Sequence, residues 1–181
     1  MPDLSAARSP PLLSAGPGVE PLPAVTRYVL RGGAEVCTAA EKSLDIGIPR
    51  TPCRAESRGG RAALWLGPDE WLLLGPEAEG AAIGARLGEA LRELPHSLVD
   101  VSHRQGALQV SGAQAMTLLS AGCPLDLDLA AFPVGMCTRT VLAKAEVVLW
   151  RTASEAFRLE VSRSLLEYVA QFLTEAARGI I

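Results

Sequence analysis

An aspartate, a serine, a histidine and an arginine crowd into five positions, Asp100, Ser102, His103 and Arg104, within the stretch LVDVSHRQGALQV (98–110). Carboxylate, hydroxyl and imidazole are the parts of a hydrolytic relay, where a base takes the proton of a nucleophile. Spacing weakens that reading. On an extended chain Asp100 and Ser102 share one face while His103 points to the other. The same residues suit a strand–turn–strand, in which Asp and Ser side chains hydrogen-bond turn backbone and Gly106 permits the bend. A thiol nucleophile, Cys123 or Cys137 with His103 as base, is a third arrangement open to the sequence.

Other chemistry finds less support. Zinc needs three or four clustered donors; His96, His103 and four separated cysteines, Cys37, Cys53, Cys123 and Cys137, do not offer them by spacing. With no C-x-x-C pair, the cysteines read as small buried apolar side chains. Gly16-Pro17-Gly18 lacks the third glycine, the strand and the helix of a dinucleotide loop. No phosphate-cradling G-x-x-x-x-G-K and no G-x-S-x-G occur.

The elements around these residues follow from patterning. Residues 1–24 carry six of the thirteen prolines and no apolar periodicity, which predicts an extended N-terminal arm. Residues 25–181 then read as a single domain. Val25–Arg31 is a predicted strand, and Ala34–Gly60 is predicted to be irregular. RAALWLGPDEWLLLG (61–75) is the strongest hairpin signal, two Leu- and Trp-rich runs around Gly67–Glu70. Trp65 and Trp71 anchor its core or present an aromatic contact to a partner. Ile83, Leu87, Leu91 and Leu94 share one face of a predicted helix over 78–94. Strands are predicted at 97–102, 107–111, 137–143, 146–151 and 157–162, with a short helix at 113–120. Ser164 and Glu167 have capping-box spacing ahead of a last helix bearing Leu165, Val169, Phe172 and Leu173. Consecutive strands joined by short turns predict an α+β fold, a mainly antiparallel sheet with helices packed on it.

The chain of 181 residues is 49% apolar and 20% charged, with a formal charge of −3, which favours neither nucleic acid nor an anionic membrane. Among seventeen basic residues only Lys42 and Lys144 are lysines. No apolar run approaches the length of a membrane span, and Asp3 and Arg8 interrupt any leader-like core, so the cytoplasm is the expected location.

LVDVSHRQGALQVSGAQAMTLLSAGCPLDL (98–127) resembles the core motif of the folate-binding aminomethyltransferases, typified by the glycine-cleavage T-protein. Asp100–His103 match its strand end, Gly112 its helix start and Leu118-Leu119 its aliphatic pair. With the LWLGPDEWLLL hairpin upstream, residues 25–177 resemble the gamma subunits of heterotetrameric sarcosine oxidase. Folate-dependent members of the wider fold carry an Asn-Asp step after the short helix. Here Ser120–Pro124 stands in its place, Asp126 and Asp128 lie beyond it, and the chain has no Asn. The resemblance thus implies a scaffold without catalytic, cofactor or metal residues of its own. Partners would be alpha, beta and delta subunits, and FAD, FMN, NAD, tetrahydrofolate and zinc would sit on them. Trp65, Trp71, Arg104 and Arg139 are the expected interface residues. The alternative is a free-standing folate-binding one-carbon-transfer protein using Asp126 or Asp128 as its acid.

Overall fold

The computed structural model describes residues 18–179. Its backbone forms two compact units: Val25–Ser102, and one that joins the residues up to Ala24 to those from His103 onward. Residues 1–17 of the expected arm lie outside the described region.

In the Val25–Ser102 unit the order is β2 (Val25–Gly32), α1 (Ala34–Leu44), β3 (Ala55–Arg58), β4 (Arg61–Gly67), β5 (Glu70–Pro76), α2 (Gly80–Leu91) and β6 (His96–Asp100). The strands lie β3-β4-β5-β2-β6, each antiparallel to its neighbour. Without the β3 extension this is the β-α-β-β-α-β ferredoxin-like arrangement. Alternate residues build the core: Tyr28 and Leu30, Ala63, and Trp71 and Leu73 pack with Val36, Cys37, Ala40 and Leu44 of α1 and Ile83, Leu87 and Leu91 of α2. Helix α2 lies so close to the sheet that a Cβ at Gly84 would stand 2.3 Å from the Tyr28 hydroxyl. That hydroxyl donates to the Gly80 carbonyl at 3.1 Å.

Two elements here replace the irregular stretch expected at 34–60. Helix α1 buries a face of small residues, and β3 folds back on β4 through Gly59-Gly60, both at positive φ as a tight hairpin turn requires. Between them Glu41 pins the 45–50 loop. Its carboxylate accepts from the Ile48 N–H at 3.0 Å and from both terminal nitrogens of Arg50, at 2.5 and 3.1 Å. The Arg50 guanidinium accordingly holds the Glu41 carboxyl below its ordinary value of 4.5. A depressed folded-state pKa stabilises above the unfolded value and is lost as pH falls through the folded one. Wild type is therefore expected to lose thermal stability relative to Glu41→Gln as pH drops from 6 to 3, measured as the gap between their melting temperatures.

The other unit contains β1 (Val19–Pro21), β7 (Gln105–Ser111), α3 (Ala115–Ser120), β8 (Cys137–Leu142), β9 (Ala145–Ala153), β10 (Ala156–Ser162) and α4 (Leu166–Arg178). Its strand order is β1-β7-β10-β9-β8, again antiparallel throughout. The last residues of the expected arm thus form an edge strand, Val19 opposite Val110, with Val19 2% exposed. One sheet face, Leu108, Val110, Val147, Leu149, Phe157, Leu159 and Val161, packs under α3 and α4. The predicted capping box does not form. Helix α4 follows a single 3-10 turn (Arg163–Leu165) with Leu165 at its N-cap and no side-chain cap bond, and the Ser164 hydroxyl sits 3.2 Å from that of Ser162.

Arg151 ties this unit together. It is 4% exposed, and its guanidinium donates to the carbonyls of Leu127 (2.9 Å), Phe132 (2.8 Å), Ala153 (3.4 Å) and Ser154 (3.2 and 2.5 Å). It also lies over the Phe157 ring at 4.8 Å from the centroid, a cation–π contact.

Candidate functional site

The Asp100–Arg104 cluster is a turn. β6 ends at Asp100, whose Oδ1 accepts from the Ser102 N–H at 2.8 Å. Ser102 is 4% exposed, and its Oγ accepts from the Arg27 N–H at 2.9 Å, beside a backbone bond from Val101 N–H to the Arg27 carbonyl. Hydroxyl and carboxylate are both spent on main chain, while the exposed His103 opens the second unit. Ser102→Ala should cost about 1–2 kcal/mol by leaving the Arg27 N–H unmatched. A urea titration checks this, with turnover of any complex containing the chain expected to stay unchanged.

The thiols are equally internal. Cys137 is wholly buried, and Cys123, 8% exposed, has the Thr140 hydroxyl at 4.0 Å as its side-chain neighbour. Burial also pushes the Cys37 thiol up, which disfavours the thiolate. Among the described residues no group of His, Cys, Asp and Glu could hold a metal ion. Asp126 and Asp128 are exposed, and each caps backbone two residues on: Asp126 Oδ1 takes the Asp128 N–H at 2.9 Å, and Asp128 Oδ1 the Ala130 N–H at 2.8 Å. Donor sets of this kind do not fit an acid poised over a folate nitrogen.

A groove of about 780 Å³ does gather polar side chains, entirely within the His103-onward unit. It lies at the end of the sheet where β7 begins, β10 ends and the β8–β9 turn sits. Pairing brings the strands' outward residues together: Arg139 opposite Val148, Val148 opposite Glu160, and Gln105 opposite Ser162. This is the sheet face away from α3 and α4. Arg139, Lys144, Glu146, Gln105 and Ser162 line the groove, with Glu160 at its base, 2% exposed and held by Arg158 Nε at 2.7 Å.

Of the four expected interface residues, Arg139 is exposed on this groove. Arg104, also exposed, precedes Gln105, and its carbonyl accepts from the Arg163 N–H at 2.8 Å. Trp65 is half-buried against the core of the other unit. Trp71 is a correction: it is 2% exposed and its indole N–H donates to the Pro49 carbonyl at 2.7 Å, so the ring belongs to the core and offers a partner nothing. The burial of Glu160 at the groove base has no signal in the sequence, where Arg158 and Glu160 simply alternate with Phe157, Leu159 and Val161.

Residues 33–179 match the family model described as sarcosine oxidase, gamma subunit family. The chain belongs to that family. A sarcosine oxidase subunit gamma from Corynebacterium sp. (strain P-1) is 36% identical over 139 residues, 76% of this chain and 68% of that protein. An Arthrobacter sp. sarcosine oxidase subunit gamma is 34% identical over the same shares of the two chains. Among solved structures, a chain of heterotetrameric sarcosine oxidase from Corynebacterium sp. U-96 superposes with a TM-score of 0.84 at 30% identity, covering 97% of this chain and 90% of that one. Aminomethyltransferase T of the Bartonella henselae glycine cleavage system superposes at 0.67 with 12% identity, over 94% of this chain and 48% of that protein, and shares the fold. This gamma-family chain therefore carries the aminomethyltransferase fold read from its motif. Among the described residues no helix is long and apolar enough to cross a membrane.

Proposed function

We infer that this chain is the non-catalytic gamma subunit of a cytoplasmic heterotetrameric sarcosine oxidase and that it supports assembly. Its partners are the alpha, beta and delta subunits, which carry FAD, FMN, NAD, tetrahydrofolate and zinc. The assembled complex oxidises sarcosine to glycine, passes the one-carbon unit to tetrahydrofolate and reduces oxygen to hydrogen peroxide. The supporting observation is a contrast: likeness to gamma subunits runs through most of the chain, yet every acid, hydroxyl and thiol proposed for chemistry is committed to its own backbone or core. Arg104, Arg139, Trp65 and the Pro-rich arm are the surfaces assigned to the partners, in a permanent interface on the order of 2,000 Å² or more.

Co-expression of the four reading frames, with and without this one, tests the reading. Omission should lower the yield of complex and its flavin content, and the full chain alone should turn over no sarcosine. Micromolar tetrahydrofolate binding by the lone chain, abolished by Asp126→Ala, would overturn it in favour of a free-standing one-carbon-transfer protein.

A further inference from the structure

Among the described strands, β1 and β8 edge one sheet and β3 and β6 the other. An edge strand offers main-chain donors and acceptors to any strand that approaches, and folds blunt such edges with brevity, proline, charge or bulges. Three of these edges are blunted. β1 has three residues and ends in Pro21, β3 reads AESR, and β8 carries an exposed Arg139. β6, HSLVD, contains no proline, lysine or arginine, pairs with β2 without a register shift, and leaves Val99 47% exposed.

The outward pattern of β6 is fixed by its register. The Val101 N–H bonds the Arg27 carbonyl at 2.9 Å, one step beyond the Tyr28–Asp100 pair. Main-chain groups alternate in direction along an antiparallel strand. Ser97 and Val99 therefore turn theirs to β2, while His96, Leu98 and Asp100 turn theirs away. A second β6, laid antiparallel with Leu98 opposite Leu98, meets those three residues as hydrogen-bonded pairs. The same register sets His96 opposite Asp100 at both ends, and opposite charges directly across a strand pair favour it. Both residues are exposed. Asp100 keeps its negative charge while its Oδ1 takes the Ser102 N–H. His96 Nδ1 lies 2.8 Å from the Leu94 carbonyl, so that nitrogen carries a proton and Nε2 is the atom left to meet a carboxylate. A strand of another protein would use the main chain alone; the matched ends single out a second copy. We propose that two copies of this chain join through β6, antiparallel about Leu98, into one continuous sheet. The contact is isologous, each copy giving the other the same residues. It goes beyond the gamma-subunit reading and does not depend on it.

Sedimentation equilibrium of the full chain should give twice the mass of one copy, falling on dilution. His96→Asp sets carboxylate against carboxylate at both ends and should weaken association about tenfold, with the melting temperature of the single copy unchanged because position 96 is exposed. The register itself is read by disulfide trapping. Ser97 of one copy stands opposite Val99 of the other as a non-hydrogen-bonded pair, with Cα atoms about 4.5 Å apart and within disulfide reach. Like positions lie diagonally, about 7–8 Å apart and beyond it. A chain bearing Ser97→Cys, mixed with a differently tagged chain bearing Val99→Cys, should crosslink to it under mild oxidation, and neither should crosslink to itself. A wild-type monomer throughout the micromolar range, a dimer indifferent to His96→Asp, or crosslinks between like positions overturns the proposal. A monomer whose β6 amides gain hydrogen-exchange protection only with co-expressed subunits also overturns it, and gives the edge to a strand of a partner.

Discussion

Arg151→Met is expected to destabilise the chain by about 3–5 kcal/mol. The guanidinium reaches four carbonyl groups on two segments, the 127–132 loop and the 153–154 turn. Each carbonyl orphaned in the interior costs about 1–3 kcal/mol, and release of the buried cation's desolvation cost returns only part of the sum. Met fills much of the volume, so packing over Phe157 is not the cause. Arg151→Lys keeps the charge but delivers its donors from one point, and the planar fork that spans both segments is lost. It should recover less than half of the loss. Equilibrium urea unfolding with an unchanged m-value checks both. A methionine variant within 1 kcal/mol of wild type would show that the carbonyls find other donors.

Trp71→Ala should cost about 3–5 kcal/mol, the range for deleting a buried aromatic side chain. The ring is 2% exposed within the first core, and its removal also leaves the Pro49 carbonyl without its donor. Trp71→Phe separates the two terms, since most of the packing survives and about 1 kcal/mol of hydrogen bond does not. Its cross-strand neighbour Trp65 is only half-buried, so Trp65→Ala should cost roughly 1–2 kcal/mol in the lone chain. Equal losses at the two positions would contradict their assigned burial.

That pair of tryptophans also marks how far sequence reasoning reached. The LWLGPDEWLLL hairpin formed as patterned, with its turn at Pro68-Asp69, and the strands at 137–162 fell within a residue or two of their expected ends. Strong alternation with a tight turn between is a local signal. Helix α1 was missed because its buried face is Val36, Cys37, Ala40 and Leu44, where small residues mute the apolar period that betrays α2. β3 reads as AESR, charged and exposed, and only the Gly59-Gly60 step announced it. β1 sits among prolines and is a strand solely because β7 pairs with it, a tertiary cause with no local trace. One sheet was expected and two five-stranded sheets form, because register between distant strands is not written in either strand alone.

At the candidate site the turn role of Asp100 and Ser102 was legible from residue type and spacing. Which tryptophan faced inward was not, since both strands are apolar on both sides. The groove was invisible for a related reason: Gln105, Lys144 and Glu160 come from three separate segments that only strand pairing assembles.

Strand β1 pairs with β7 across more than eighty intervening residues, and the Leu22 N–H bonds the Ala107 carbonyl at 2.9 Å, so the chain leaves and re-enters one sheet at neighbouring points. During synthesis the Val25–Ser102 segment has all its strands and helices off the ribosome while β1 still waits for its mate. Contiguous structure condenses before the loop it closes, because loop closure is charged to the later partner. The nascent polypeptide thus completes its inserted module first, and the module's own compaction draws β1 and β7 within reach of each other.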